Sequence, residues 1–119
     1  PSTIEGVNEE IKLITSGQPV YPDATVDVLE GVHCGKRFKL SQAPKDAFIG
    51  AIKLNDLFLE SQAIRDCNIN SRIALVLRAL LDGDPLVCNS LNFLYGSRQG
   101  AHYDSWFMPP LVEHKMLAT

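Results

Sequence analysis

Apolar positions along this chain fall into short blocks that change period. Val7, Ile11 and Ile14 recur at helical spacing and Gly17 follows as a stop, which predicts a short first helix. Pro19 and Pro22 then predict a rigid connection. From Thr25 to Leu29 the residues alternate weakly and are β-branched, the pattern of a strand closing at Glu30-Gly31. The stretch from Phe38 to Glu60 mixes isolated apolar residues with Pro44 and Gly50, and reads as loop with a short helical turn. Ile64 and Cys67 fit a short helix capped by Ser61. Next, Ile73, Val76, Leu77, Leu80 and Leu81 follow the spacing of one helix face, with Asn70 or Ser71 as the N-terminal cap. Asp82-Gly83-Asp84-Pro85 breaks that helix and turns the chain.

Beyond the turn the period shifts to two. Leu86 to Tyr95 reads as a buried strand, with Leu91, Phe93 and Tyr95 on one face and Asn92 and Leu94 on the other. Gly96 to Gly100 is a loop, Ala101 to Phe107 a second strand ended by Pro109-Pro110, and Lys115 to Thr119 the opening of another. The expected fold class is α+β, in one domain over 1–119: a helical segment over about 1–82 and sheet strands over about 85–119. A jelly roll closes with about eight strands, and this chain offers roughly half of them. A partial double-stranded β-helix with packed helices is therefore expected, truncated at an open edge. Unpaired backbone groups there invite completion by a second polypeptide or by self-association.

Composition narrows the function classes. The chain has 119 residues, 45% hydrophobic and 21% charged, ordinary values for a soluble globular domain. A formal net charge of −3 argues against nucleic acid, and the basic cluster of Lys36, Arg37 and Lys39 reads as a solvated edge. No apolar run has the length of a membrane span, and Pro1-Ser2-Thr3 does not open a signal peptide. The absence of an initiator Met and the stop inside a strand pattern suggest an excerpt. Cys34, Cys67 and Cys88 are odd in number and far apart, so a disulfide framework is not expected and a cytoplasmic location is.

The candidate chemistry lies in the second strand pattern. His102 and Asp104 are one residue apart. On a strand they would point the same way, with Cα atoms roughly 7 Å apart, so that an imidazole nitrogen and a carboxylate oxygen could share one ion. Iron(II) oxygenases use such a pair with a third, distal ligand, and a catalytic zinc site also needs a third. Alone the pattern is weak, because a His and an Asp in a polar surface loop produce it by chance.

Its surroundings add weight. The run Ser90-Leu91-Asn92-Phe93-Leu94-Tyr95-Gly96-Ser97-Arg98-Gln99, continuing Gly100-Ala101-His102-Tyr103-Asp104-Ser105-Trp106-Phe107-Met108-Pro109-Pro110, resembles the metal-ligand region of the phytanoyl-CoA dioxygenase family. Leu80 to Pro85 and Leu54-Asn55-Asp56-Leu57 fit the same family, so the resemblance covers about 38–119. It implies an iron(II)/2-oxoglutarate-dependent dioxygenase that hydroxylates a small organic substrate with oxygen, releasing succinate and carbon dioxide. It implies His102 and Asp104 as the proximal Fe(II) ligands, with Asn89, Leu91, Phe93 and Tyr95 lining the 2-oxoglutarate pocket. Trp106 and Met108 would border the substrate entrance. Because Asp104 is present, hydroxylation is expected rather than halogenation.

The chain departs from the family in lacking a matched distal His and the Arg that grips the far carboxylate of 2-oxoglutarate. His114 follows Asp104 too closely, and Arg98 fits a solvated loop. Three other readings stay open. One is a catalytically silent small-molecule-binding or assembly module on the same scaffold. In the second, Cys34 is a nucleophile beside His33, its pKa lowered by Lys36 and Arg37. The third is a cupin-like metal protein, although cupins prefer His where Asp104 stands.

Overall fold

The computed structural model describes residues 2–18, 21–97 and 99–102. Helix α1 spans Thr3–Thr15 and opens on a reciprocal cap: the Ser2 hydroxyl accepts from the Glu5 amide, and the Glu5 carboxylate accepts from the Ser2 amide. That arrangement satisfies two donors which would otherwise be orphaned at the helix start. Gly17 takes a positive φ of 78° just past its end, a conformation favouring glycine. Pro19 lies outside the described residues.

Four strands follow: β1 (Thr25–Val28), β2 (Arg37–Lys39), β3 (Ile52–Asn55) and β4 (Leu91–Leu94). They form one antiparallel sheet in the order β2-β1-β3-β4, open at both edges among the described residues. Helices α2 (Gln62–Asn68) and α3 (Ser71–Leu81) lie between β3 and β4 in the chain. Ser61 caps α2 by accepting from the Ile64 amide, Asn70 caps α3 by accepting from the Arg72 amide, and Asp82 ends α3 at φ 56°. The fold class is α+β. Among the described residues no helix is long and apolar enough to cross a membrane.

The core forms where one sheet face meets α1 and α2. Val26, Ile52 and Leu54 from the sheet pack with Ile14, Leu57 and Ile64, all buried. Phe38 and Leu94 reach the same cluster from the two edge strands. The Tyr21 hydroxyl donates to Glu10 at 2.7 Å and ties the entrance of β1 back to α1.

Three expectations need correction. The sheet is not confined to the C-terminal part, since three of its four strands precede residue 82. The stretch 38–60, expected as loop with a short helical turn, has 3₁₀ turns at Leu40–Gln42, Lys45–Phe48 and Leu57–Leu59, but it also contains the end of β2 and all of β3. β3 is internal to the sheet, so four residues with two core-facing side chains suffice there, and both neighbours supply ladder partners. The buried strand expected over Leu86 to Tyr95 shrinks to a half-buried edge strand over Leu91–Leu94. Leu86 is 87% exposed and Tyr95 is 75% exposed at φ 64°, so neither continues the strand.

Candidate functional site

Register between β3 and β4 builds the site. Leu91 lies opposite Asn55, Asn92 opposite Leu54, Phe93 opposite Lys53 and Leu94 opposite Ile52. Ile52, Leu54 and Leu94 face the helices, so alternation turns Leu91, Phe93, Lys53 and Asn55 toward the other face. The start of β4 is fixed by Asp56, which occupies the left-handed region at φ 53°. Its amide donates to the Ser90 carbonyl at 2.8 Å, and its carboxylate accepts from the Ser90 amide at 3.0 Å. This two-way clamp accounts physically for the Leu54-Asn55-Asp56-Leu57 segment, in which Leu54 and Leu57 are buried and Asp56 sets the register of β4.

Charges on that second face come from neighbouring strands. Asp27 on β1 accepts from Arg37 on β2, with 2.8 Å between the Arg37 Nη2 and Asp27 Oδ2 atoms, and lies 2.7 Å from Lys53 Nζ on β3. The hydrogen bond from Arg37, helped by Lys53 and opposed by partial burial, lowers the Asp27 carboxyl to about 2. Asn55 is nearly buried, and its side-chain amide donates to the Thr25 hydroxyl at 3.2 Å. Lys53 is therefore a held cation directly opposite Phe93. Sequence reasoning missed it because β3 was read as loop; the alternation Ile52-Lys53-Leu54-Asn55 was the available signal.

Of the residues expected to line a 2-oxoglutarate pocket, Leu91 and Phe93 share this face. Asn89 and Tyr95 do not join them: Asn89 precedes the strand and is exposed, and the positive φ of Tyr95 breaks the alternation. Asn92 lies on the helical side, where its buried Nδ2 has no hydrogen-bond partner among the described residues.

His102 is exposed and belongs to no strand, and its Nδ1 is 2.7 Å from the Gly100 carbonyl oxygen. A carbonyl only accepts, so Nδ1 carries the proton, and a neutral ring then has its lone pair on Nε2. Metal-ligating imidazoles are commonly oriented by such a bond from the other ring nitrogen. Asp104, Trp106, Met108, His114 and Arg98 lie outside the described residues, as does the strand expected through Phe107. Among the described residues no group of three or more His, Cys, Asp or Glu side chains could hold a metal ion.

The Cys34 alternative fares differently. Its thiol donates to the Leu29 carbonyl at 3.2 Å, and the His33 ring contacts Asp46 at 3.1 Å and Phe38 edge-on. Arg37, one of the two cations invoked for that reading, is engaged with Asp27. His33 and Cys34 thus have separate partners and form no hydrogen-bonded dyad.

Fold and site together define an α+β domain with an antiparallel sheet that is open among the described residues, whose face away from the helices carries apolar β4 side chains and a held lysine. The chain matches no family model, no curated protein and no solved structure in comparisons with each.

Proposed function

We propose that the chain carries the proximal part of an iron(II)/2-oxoglutarate-dependent dioxygenase site of the phytanoyl-CoA dioxygenase type, acting on a small organic substrate in the cytoplasm. The reading rests on the ordered run from Ser90 to Pro110, and the observation that carries it structurally is the orientation of His102. Its ring meets the Gly100 carbonyl through Nδ1, the kind of contact that commonly orients a metal-ligating imidazole. His102 and Asp104 would hold Fe(II), which supplies the oxidative chemistry when bound together with 2-oxoglutarate. The sheet would be part of a double-stranded β-helix, with β4 as the strand next to the metal ligands.

Lys53 extends the proposal. It lies across the ladder from Phe93, so a dianionic cosubstrate above that face would find a cation beside an apolar wall of Leu91 and Phe93. Asp27 keeps the ammonium in place and partly neutralises it, so a cosubstrate carboxylate would share the lysine with Asp27. On this reading Lys53 supplies part of the carboxylate recognition for which sequence reasoning looked to a later Arg.

An assembly role is the second reading, favoured by the exposed apolar residues Ile73, Val76 and Leu80 on α3. Anaerobic titration with Fe(II) and then 2-oxoglutarate separates the two. The oxygenase reading expects a weak visible charge-transfer band that His102→Ala abolishes. Lys53→Ala should raise the 2-oxoglutarate concentration needed for the band by about tenfold, the scale of one charge-assisted contact. A wild-type protein that stays folded and shows no band would leave the assembly reading in place.

A further inference from the structure

The geometry points to a second binding site, for a small apolar monocarboxylate, in a cavity between the C-terminal end of α1 and the two 3₁₀ turns that follow β2. The cavity has a volume of about 170 Å³ and is walled by Ile14, Leu40, Ala43 and Phe48. Two of its lining positions supply little volume: Gly17, whose positive φ favours glycine, and Ala43, which stands between the turns. A volume of about 150 Å³ accommodates a benzene ring, so this partly open hollow, which Gln18 and Ser41 also line, has room for a ring of that size.

Its charge narrows the ligand class. Lys45 lines the same cavity, and among the described residues it has no carboxylate partner, unlike Arg37, Lys39, Lys53 and Arg78. The nearby Asp46 carboxylate is engaged by His33. The Ser41 hydroxyl is also committed, donating to the Pro22 carbonyl at 2.9 Å. A lysine beside an apolar wall suits a ligand with one anionic end and a hydrocarbon or aromatic body. A dianion or a phosphate would bring a second charge for which the lining residues offer no second cation. The site shares no residue with the sheet face of Lys53 and Phe93, so it stands or falls independently of the oxygenase reading.

Benzoate and uncharged benzyl alcohol are suitable probes, followed by amide NMR shifts in the whole chain. Saturable shifts at Ile14, Gly17, Leu40 and Phe48 are expected with both. Lys45→Met, a change at an exposed side chain, should weaken benzoate about fivefold and leave benzyl alcohol unchanged. Ala43→Leu, which fills the hollow, should abolish both. Unsaturable or absent shifts at those amides in the folded wild type would overturn the proposal, and so would equal benzoate affinity in wild type and Lys45→Met.

Discussion

Two amphipathic helices of this chain have opposite fates. α1 turns its apolar stripe inward, with Ile14 buried and Val7 and Ile11 packed on the core cluster. α3 has the longer apolar stripe, yet none of its residues is buried, and Ile73, Leu75, Val76 and Leu80 are all exposed. The difference lies in what each helix meets. The partners of α1 are α2 and the inner face of β1 and β3. α3 follows immediately after α2 and leads into the exposed stretch before β4, where no second apolar layer stands among the described residues. Helical periodicity therefore predicts that a helix forms, while burial requires a facing surface.

The largest test of that contrast is a matched pair of truncations. Leu54→Ala should cost about 3–4 kcal/mol in urea unfolding, because a side chain enclosed on β3 leaves a cavity. Leu80→Ala should cost less than about 1 kcal/mol, since that side chain is more than half exposed. Equal losses would mean that α3 is packed in solution, and the contrast would fail.

Charge offers a second, smaller test. The Asp27 carboxyl is held at about 2, below its ordinary value of 3.8, chiefly by the hydrogen bond from Arg37. A depressed carboxylate stabilises the fold above the unfolded pKa, and that contribution is lost as pH falls from about 4 through about 2. Discounted for the exposure of Arg37, it amounts to about 1–2 kcal/mol, which Asp27→Asn should remove at pH 7 while flattening the acid limb.

Caps sharpen the comparison locally. Ser61 is fully buried, so Ser61→Ala should cost about 1–2 kcal/mol globally. Asn70→Ala, at the exposed start of α3, should cost about 0.5–1 kcal/mol and accelerate hydrogen exchange chiefly within that helix. Uniform acceleration across β1 and β3 in Asn70→Ala would show that α3 unfolds only with the core. The smallest effect belongs to the exposed Arg78–Asp84 pair at the end of α3, where Asp84→Asn should cost less than about 0.5 kcal/mol in urea unfolding.

The site was legible in parts, each for a physical reason. Alternation correctly put Leu91 and Phe93 on one face and Asn92 and Leu94 on the other, because period two survives even on an edge strand. It failed at Tyr95, where a positive φ ends the strand one residue before the Gly96 at which the loop was expected. Lys53 stayed hidden because a strand of four residues between Gly50 and Asp56 is too short for periodicity to declare. The Asp56 clamp on Ser90 joins residues 34 apart, a distance no local pattern reports.

By itself the sequence determined what neighbouring residues settle among themselves: the reciprocal cap of α1, the serine and asparagine caps of α2 and α3, the Asp82 stop, and the spacing of His102 from Asp104. Tertiary structure alone decided which apolar stripes are covered, that β3 lies between β1 and β4, and that Lys53 stands across from Phe93. The first group depends on backbone torsions and on hydrogen bonds spanning a few residues, whereas the second depends on which distant surfaces meet and exclude water.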